Sequence, residues 1–467
     1  MKKWIWEHIK GKKVLILGFG REGKSTYSMI RGIGGFAELG ISDKNPVNVS
    51  EADVKLYTGE NYQKCLPGYD IVIKSPGIVL EEELSNDTYR LLSQTEIFFS
   101  CYKSQVIGIT GTKGKSTTTT LLHHILKQAG KDAILAGNIG IPAFDIANQV
   151  KKSSVVVFEM SSHQLEYMTV SPKIGVFLNV HEEHLDHYGT MEKYVAAKQN
   201  IYENQTAGDV LYCNIENMPL QCESEVVVLQ HFQEEGEYKK YLSDENGWRQ
   251  AVQEKYPYTC RAVLGVYDNQ IHYQEHTLVL PVEEIPLVGS HNYFDIGVVY
   301  GICQEYGIDD LQFLNALKTY ETLPHRLQYV GTYDGVRYYD DSISTICDTA
   351  IQALLSVKDA DTILIGGMDR GIDYTELIDF LHVHPISHII LMETTGRRIY
   401  EEIQERGERF RQPERILLVK HLEDAVQKAK EVTKKGKSCI LSPAAASYGI
   451  FKDFNQRGEV FQALIKN

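Results

Sequence analysis

Short Val/Ile-rich runs that end in Gly or Ser alternate with amphipathic stretches along most of this chain. The runs KVLILG, IVIKSPG, VIGITG, VVVFEM, IGVFLNV, TILIGG, HIILME and SCILSP read as buried parallel strands. A parallel strand needs a crossover, and the amphipathic stretches supply helices for both faces of a sheet. The expected fold class is therefore α/β. At 467 residues the chain has enough apolar material for two to four separate cores.

The α/β rhythm restarts twice. A new strand and glycine loop begin near Tyr102, and near Leu323 the segment ETLPHRLQYVGTYDGVRYYDDS gives a Pro turn and a hairpin-like pair. The segment from about Gln221 to Leu280 is polar, Glu/Gln/Tyr-rich and irregular, and reads as an elaboration of the middle region without chemistry of its own.

Bulk properties exclude several classes. A net charge of −14 disfavours broad nucleic-acid or anionic-membrane binding, so no nucleic-acid partner is expected. Eight scattered cysteines, with no C-x-x-C and no metal-ligand spacing, read as free thiols in a reducing cytoplasm. The opening MKKWIWEHIKGKK has too short an apolar run for a secretory core, and no stretch is apolar enough for a membrane span. A cytoplasmic protein without membrane insertion is the expectation.

Two glycine loops carry the chemistry. The first, VLILGFGREGKST, places Gly18, Gly20 and Gly23 after a strand, with Asp43 about twenty residues beyond, the layout of a dinucleotide fingerprint. It also ends in Gly-Lys-Ser, so a phosphate loop for another nucleotide is an equal reading. The second, GITGTKGKSTTTTLL, runs a strand into Gly111-Thr112-Lys113-Gly114-Lys115-Ser116-Thr117 and a Thr-rich helix start. Glycines let backbone N–H groups approach phosphates, Lys115 can reach the β/γ-phosphates, and the Ser116 hydroxyl can bind Mg²⁺. The loop is the short GT-x-GK-S form, with Ile109 where the longer pattern has a glycine. ATP is the expected ligand.

Downstream, Glu159 ends a strand and could hold a Mg²⁺ that bridges phosphates. The next strand leads into NVHEEHLDHY, which holds His181, Glu182, Glu183, His184, Asp186 and His187. These lack a zinc-site pattern and suit a hard cation better. AAKQNIYE then puts Lys198 on a helix.

Taken in order, GTKGKST, EMSSHQLE, NVHEEHLDHY, AAKQNIYE, GSHN, LPHR, DDS, GGMDRG and SPAAASYGIFKDFNQRG resemble the ATP-dependent Mur ligases of peptidoglycan synthesis over nearly the whole chain. They run closest to the branch that adds D-glutamate to UDP-N-acetylmuramoyl-L-alanine. The resemblance implies three domains: a Rossmann-like UDP-substrate domain (1–101), a P-loop ATPase domain (102–322) and a Rossmann-like C-terminal domain (323–467) that closes on ATP and binds the amino acid. Gly18, Gly20, Arg21, Glu22 and Gly23 would then cradle the UDP diphosphate rather than a nicotinamide cofactor. Asp43 would lie near the uridine, and Ser75, Pro76 and Gly77 would border that pocket. Asn138, Ser161 and Gln164 would line the path into the centre.

By the same resemblance, Lys115 holds the transferred phosphate, while Ser116 and Glu159 ligate a first Mg²⁺. His184 helps hold a second, organised by a carbamate on Lys198. Asn292, Arg326 and Asp341 match positions around adenine, phosphate and ribose. Thr345, Arg370, Ser447, Tyr448 and Phe454 form the amino-acid pocket, where Arg370 can grip a carboxylate bidentately. The substrates implied are UDP-MurNAc-L-Ala, ATP and glutamate, and the enzyme is expected to be a monomer.

The segment DDSISTI departs from the family's usual NDSKATN at Asp340, Ile343 and Ile346, as does Lys113 from the usual Asn. The changed segment resembles a subgroup that adds L-glutamate, and D-glutamate remains the main expectation. A folylpolyglutamate synthase-like ligase would leave the first glycine loop unexplained.

Overall fold

All eight Val/Ile-rich runs form parallel strands, and all but HIILME end at a loop that carries one of the motifs above. The structure is a computed structural model that describes residues 1–81, 88–139, 141–407 and 415–466. The final glycine of GNIG and the side chain of Asp186 lie outside the described residues. The chain divides into two compact units, Met1–Pro281 with His291–Tyr320, and Val282–Ser290 with Glu321–Asn467.

The first unit holds two sheets. Strands β1 (Lys13–Leu17), β2 (Glu38–Asp43), β3 (Val54–Thr58), β4 (Ile71–Lys74) and β5 (Arg90–Ser93) form a five-stranded parallel sheet in the order β3-β2-β1-β4-β5. The order reverses between β1 and β4, which opens a crevice at their carboxyl ends. Glycine positions tighten it. Gly18 has φ +90°, and Gly23 lies so close to the Gly18 carbonyl that a Cβ would sit 2.0 Å from it.

The second sheet has nine strands: β6 (Val106–Thr110), β7 (Ala133–Gly137), β8 (Val155–Glu159), β9 (Ile174–Phe177), β10 (Val210–Asn214), β11 (Glu225–His231), β12 (Cys260–Tyr267), β13 (Gln270–Tyr273) and β14 (His276–Val279). Their order is β14-β13-β12-β11-β10-β9-β6-β8-β7, parallel except for the β12–β13–β14 meander. The 221–280 segment is therefore not irregular. It supplies two further parallel strands and an antiparallel hairpin, with helices Glu235–Ser243 and Glu245–Lys255 packed beside β12. Its buried faces are aromatic, built from Tyr238, Tyr241, Phe232 and Trp248, which is why the segment reads as polar by composition.

The two sheets are joined by polar contacts as well as by a shared core. Phe98 and Phe99, on the helix that leaves β5, pack with Phe158 of the second sheet. Glu96 accepts from the backbone and hydroxyl of Thr169, and Ser25 donates to Asp145 at 2.6 Å.

In the second unit, β15 (Gln328–Tyr333) and β16 (Val336–Asp340) form the expected hairpin. Strands β17 (Ala360–Gly366), β18 (His388–Met392), β19 (Ile416–Leu418) and β20 (Ser438–Leu441) complete a six-stranded sheet in the order β15-β16-β20-β17-β18-β19. Aliphatic cores cover both of its faces. Among the described residues no helix is long and apolar enough to cross a membrane.

Candidate active site

The second glycine loop leaves β6 between β8 and β9, so it stands at the carboxyl edge of the sheet's centre. Gly114 has φ +80° and caps the helix Lys115–Gln128. A Cβ on Gly114 would lie 2.6 Å from the Asp295 carboxylate, so only glycine fits. Asn179, just beyond β9, clamps the loop: its Oδ1 accepts from the Thr112 and Lys113 amides at 3.1 and 2.8 Å, and its Nδ2 donates to the Lys113 carbonyl.

Lys115 and Lys198 meet at this loop. Lys115 Nζ donates to the carbonyls of Gly111 and Thr112 at 2.8 Å each, and Lys198 Nζ donates to the same Gly111 carbonyl at 2.8 Å. Lys198 is 1% exposed on the helix Met191–Gln199, over the Tyr194 ring. Burial, aided by the neighbouring Lys115 ammonium and opposed by Glu183, pushes its amine down to about 7. Tyr194 also lies 3.1 Å from the Thr112 hydroxyl and 3.4 Å from Glu183.

Glu159 ends β8 beside this loop, 1% exposed. Its Oε1 accepts from Asn138 Nδ2 at 2.8 Å, whereas its Oε2 is buried with no hydrogen-bond partner among the described residues. A carboxylate oxygen aimed inward without a donor suits a cation. Among the described residues no three His, Cys, Asp or Glu side chains converge as a closed metal site, so phosphate oxygens and the buried Ser116 would have to complete the shell. His184 stands in the left-handed region at φ 57°, with its Nε2 3.7 Å from Glu183 and its ring 4.8 Å from that of His163. Asn292 is buried in the first turn of the helix Ser290–Glu305, one turn before Asp295. Burial pushes the Asp295 carboxyl up to about 8.

At the first glycine loop, Asp43 accepts from the Phe19 amide at 2.6 Å and so braces the loop itself. The Ser75 hydroxyl donates to the Gly18 carbonyl at 3.0 Å, and Gly77 turns the following loop at φ +77°. Ser161 and Gln164 form a capping box, and Gln164 Nε2 reaches Glu22 at 3.0 Å. Burial raises the Glu22 carboxyl above the usual range. The first glycine loop is thus tied to the segment that follows β8.

In the second unit, Arg326 lies between two residues of positive φ, His325 at 61° and Leu327 at 42°. Asp341 ties its own loop together, accepting from the Leu327 amide and from the Ser344 and Ser442 hydroxyls. Its burial pushes the carboxyl up to about 6. Arg370 donates to the Thr345 carbonyl, a bridge joins Met368 to Ala446 beside Ser447, and Ser342 donates to the Phe454 carbonyl. The strand ends of one sheet therefore bring Thr345, Arg370, Ser447 and Phe454 to one edge. Tyr448, which follows Ser447, is 60% exposed. Sequence reasoning did not single out Asn179, Tyr194, Asp295 or Arg457. Asn179 carried a readable signal, a polar residue just after a buried strand. The fully buried Arg457, which donates to the Ser342 and Ala445 carbonyls, carried none beyond its motif.

Residues 109–293 match the Mur ligase middle domain. The UDP-N-acetylmuramoylalanine–D-glutamate ligase of Caldanaerobacter subterraneus is 30% identical over 98% of both chains. This chain belongs to the Mur ligase family. The ligase of the same name from Lachnoclostridium phytofermentans is also 30% identical, covering 97% of this chain and 98% of its own. Among solved structures, the MurF ligase of Thermotoga maritima in complex with ADP aligns with a TM-score of 0.54 at 15% identity, covering 99% of this chain and 96% of that one. That likeness extends the family's α/β architecture to all three sheets.

Proposed function

We propose that this Mur ligase joins D-glutamate to UDP-N-acetylmuramoyl-L-alanine at the expense of ATP, in cytoplasmic peptidoglycan precursor synthesis. The observation that carries the reading is end-to-end similarity to D-glutamate ligases, together with two lysines converging on the Gly111 carbonyl. The three sheets correspond in this reading to a UDP-substrate domain (1–101), an ATPase domain (102–322) and an amino-acid domain (323–467).

In the reaction, an oxygen of the alanyl carboxylate attacks the γ-phosphorus, and the bond to the ADP oxygen breaks. The resulting acyl phosphate is attacked by the amine of glutamate. Phosphate leaves from the tetrahedral intermediate, and the new amide nitrogen sheds its proton. Lys115 offsets charge on the phosphoryl oxygens, with the amides of Gly114, Ser116 and Thr117 around the phosphates, while those of Thr112 and Lys113 are held by Asn179 and fix the loop. Ser116 and Glu159 would hold one Mg²⁺, and His184 with a carbamylated Lys198 a second, ions that neutralise phosphate charge when bound. The depressed Lys198 amine supports the carbamate, because only a neutral amine adds carbon dioxide.

Asn292 with Asp341 and Arg326 are assigned to the nucleotide. Gly18, Gly20, Arg21, Glu22, Gly23, Asp43, Ser75, Pro76 and Gly77 are assigned to the UDP moiety, and Asn138, Ser161 and Gln164 to the muramoyl arm. Thr345, Arg370, Ser447, Tyr448 and Phe454 receive glutamate.

L-Glutamate is the second reading. It is favoured by the DDSISTI segment, where Asp340 is fully buried against His325 at 2.7 Å and Gln462 at 2.9 Å. The test is phosphate release and product mass with ATP, Mg²⁺ and UDP-MurNAc-L-Ala, comparing the two glutamate enantiomers. Product with D-glutamate alone supports the main reading. Product with L-glutamate alone replaces it with the second, and no product with either refutes both acceptors.

A further inference from the structure

Lys74 is a buried cation for which the reaction above has no use. It is the last residue of β4, in register with Leu17 of β1, and so stands at the point where the strand order of the first sheet reverses. The next residue, Ser75, holds the Gly18 carbonyl of the first glycine loop. The Lys74 side chain is 4% exposed, yet its ion pair with Glu166 spans 3.7 Å, too long for a good hydrogen bond. The ammonium otherwise faces the Tyr167 ring, 5.0 Å from the centroid. Tyr167 is 38% exposed, so this ring forms an open edge above a buried charge.

The surrounding groups do not hold Lys74 firmly. Glu166 is shared, because His187 Nε2 lies 3.2 Å from the same Oε2. Glu22 is close enough to be felt electrostatically but turns one oxygen to Gln164, and its other oxygen is buried without a partner among the described residues. An ammonium has three donors, and a buried one with a single long contact is poorly compensated. Replacing a buried ion pair as a whole by apolar groups is often neutral, so the pair with Glu166 does not by itself account for a lysine here.

We propose that Lys74 is a substrate-binding residue whose ammonium takes the diphosphate of the UDP substrate at the crevice between β1 and β4, with Glu166 holding it in place beneath Tyr167. The inference deepens the proposed function and rests on its assignment of the first glycine loop to a uridine diphosphate. A charge-assisted contact from a buried ammonium to phosphate corresponds to about 10- to 100-fold in affinity.

The experiment is calorimetric binding of UDP, uridine and UDP-MurNAc-L-Ala to the full-length protein and to Lys74→Met and Lys74→Arg, with melting temperatures and steady-state kinetics alongside. The expected result for Lys74→Met is a folded protein with about 10- to 100-fold weaker UDP binding. Uridine affinity and the KM for ATP should change less than about twofold, and Lys74→Arg should recover most of the UDP affinity. Unchanged UDP binding in Lys74→Met overturns the inference. So does an equal loss for UDP and uridine, or a fall in melting temperature that Lys74→Arg restores without restoring UDP binding. If the parent binds UDP in a Lys74-dependent way but fails to use UDP-MurNAc-L-Ala, the proposed function fails and the role of Lys74 stands.

Discussion

Replacing Lys198 with Met should stabilise the protein while abolishing ligation, and the gain should depend on pH in a calculable way. In the unfolded chain this amine titrates near 10.4, whereas burial holds it at about 7 in the fold. Between those values the unfolded state binds a proton that the native state has shed, so native stability rises with pH. The cost of burying the amine is then about 4 kcal/mol at pH 7 and about 2 kcal/mol at pH 9. Met removes that cost but gives up the bond to the Gly111 carbonyl, worth about 1 kcal/mol. The packing and hydrogen-bond contributions are the same at both pH values. The advantage of Lys198→Met over the parent should therefore shrink by about 2 kcal/mol from pH 7 to pH 9. Urea unfolding of both proteins in buffer free of carbon dioxide measures it, since carbamylation would change the charge. Parallel stability curves over that range would refute the reasoning and leave Lys198 an ordinary charged lysine.

Two further outcomes follow from the same loop. Asp295→Asn should stabilise the protein with the opposite slope, because burial holds this carboxyl protonated up to about 8. The native state keeps a proton that the unfolded chain loses near pH 4, so the gain should be about 4 kcal/mol at pH 7 and under about 2 kcal/mol at pH 5, again by urea unfolding. Gly114→Ala should cost about 1–3 kcal/mol and raise the KM for ATP, since the new Cβ would meet Asp295 at 2.6 Å with φ at +80°. Parental melting temperature and KM together would contradict the packing.

The parts of the fold that were legible in the sequence were those where burial is aliphatic. The runs that became β1, β4, β6, β8, β9, β17, β18 and β20 are buried along nearly their whole length. Strand β11, EVVVLQH, carried the same signal but lay inside a stretch whose overall composition is polar. The helix Glu235–Ser243 beside β12 hid its buried face because Tyr238 and Tyr241 bury rings that count as polar by letter. The candidate site was legible wherever a motif follows a strand, as with Lys115 and Glu159. Lys74 was not, because a lysine at the end of a strand reads as solvated until the second sheet is seen to cover it. Asp295 was not, because nothing in its helix announces that Gly114 packs against it.

The convergence of Lys115 and Lys198 on one carbonyl divides two like residues into different roles. A carbonyl oxygen has two lone pairs and can accept from both amines, so hydrogen bonding alone does not choose between them. Burial does. Lys115 is partly exposed at the mouth of the loop, while Lys198 is enclosed and is pushed toward the neutral form by burial and by its neighbour's charge. In the proposed reaction the first lysine serves the phosphates, and the neutral amine of the second is a nucleophile. Adding carbon dioxide to that amine would replace repulsion with attraction to Lys115, so the cation beside it would help retain a carbamate. Methionine at position 198 removes this pairing. The stability experiment therefore tests the division of roles as well as the value of one amine.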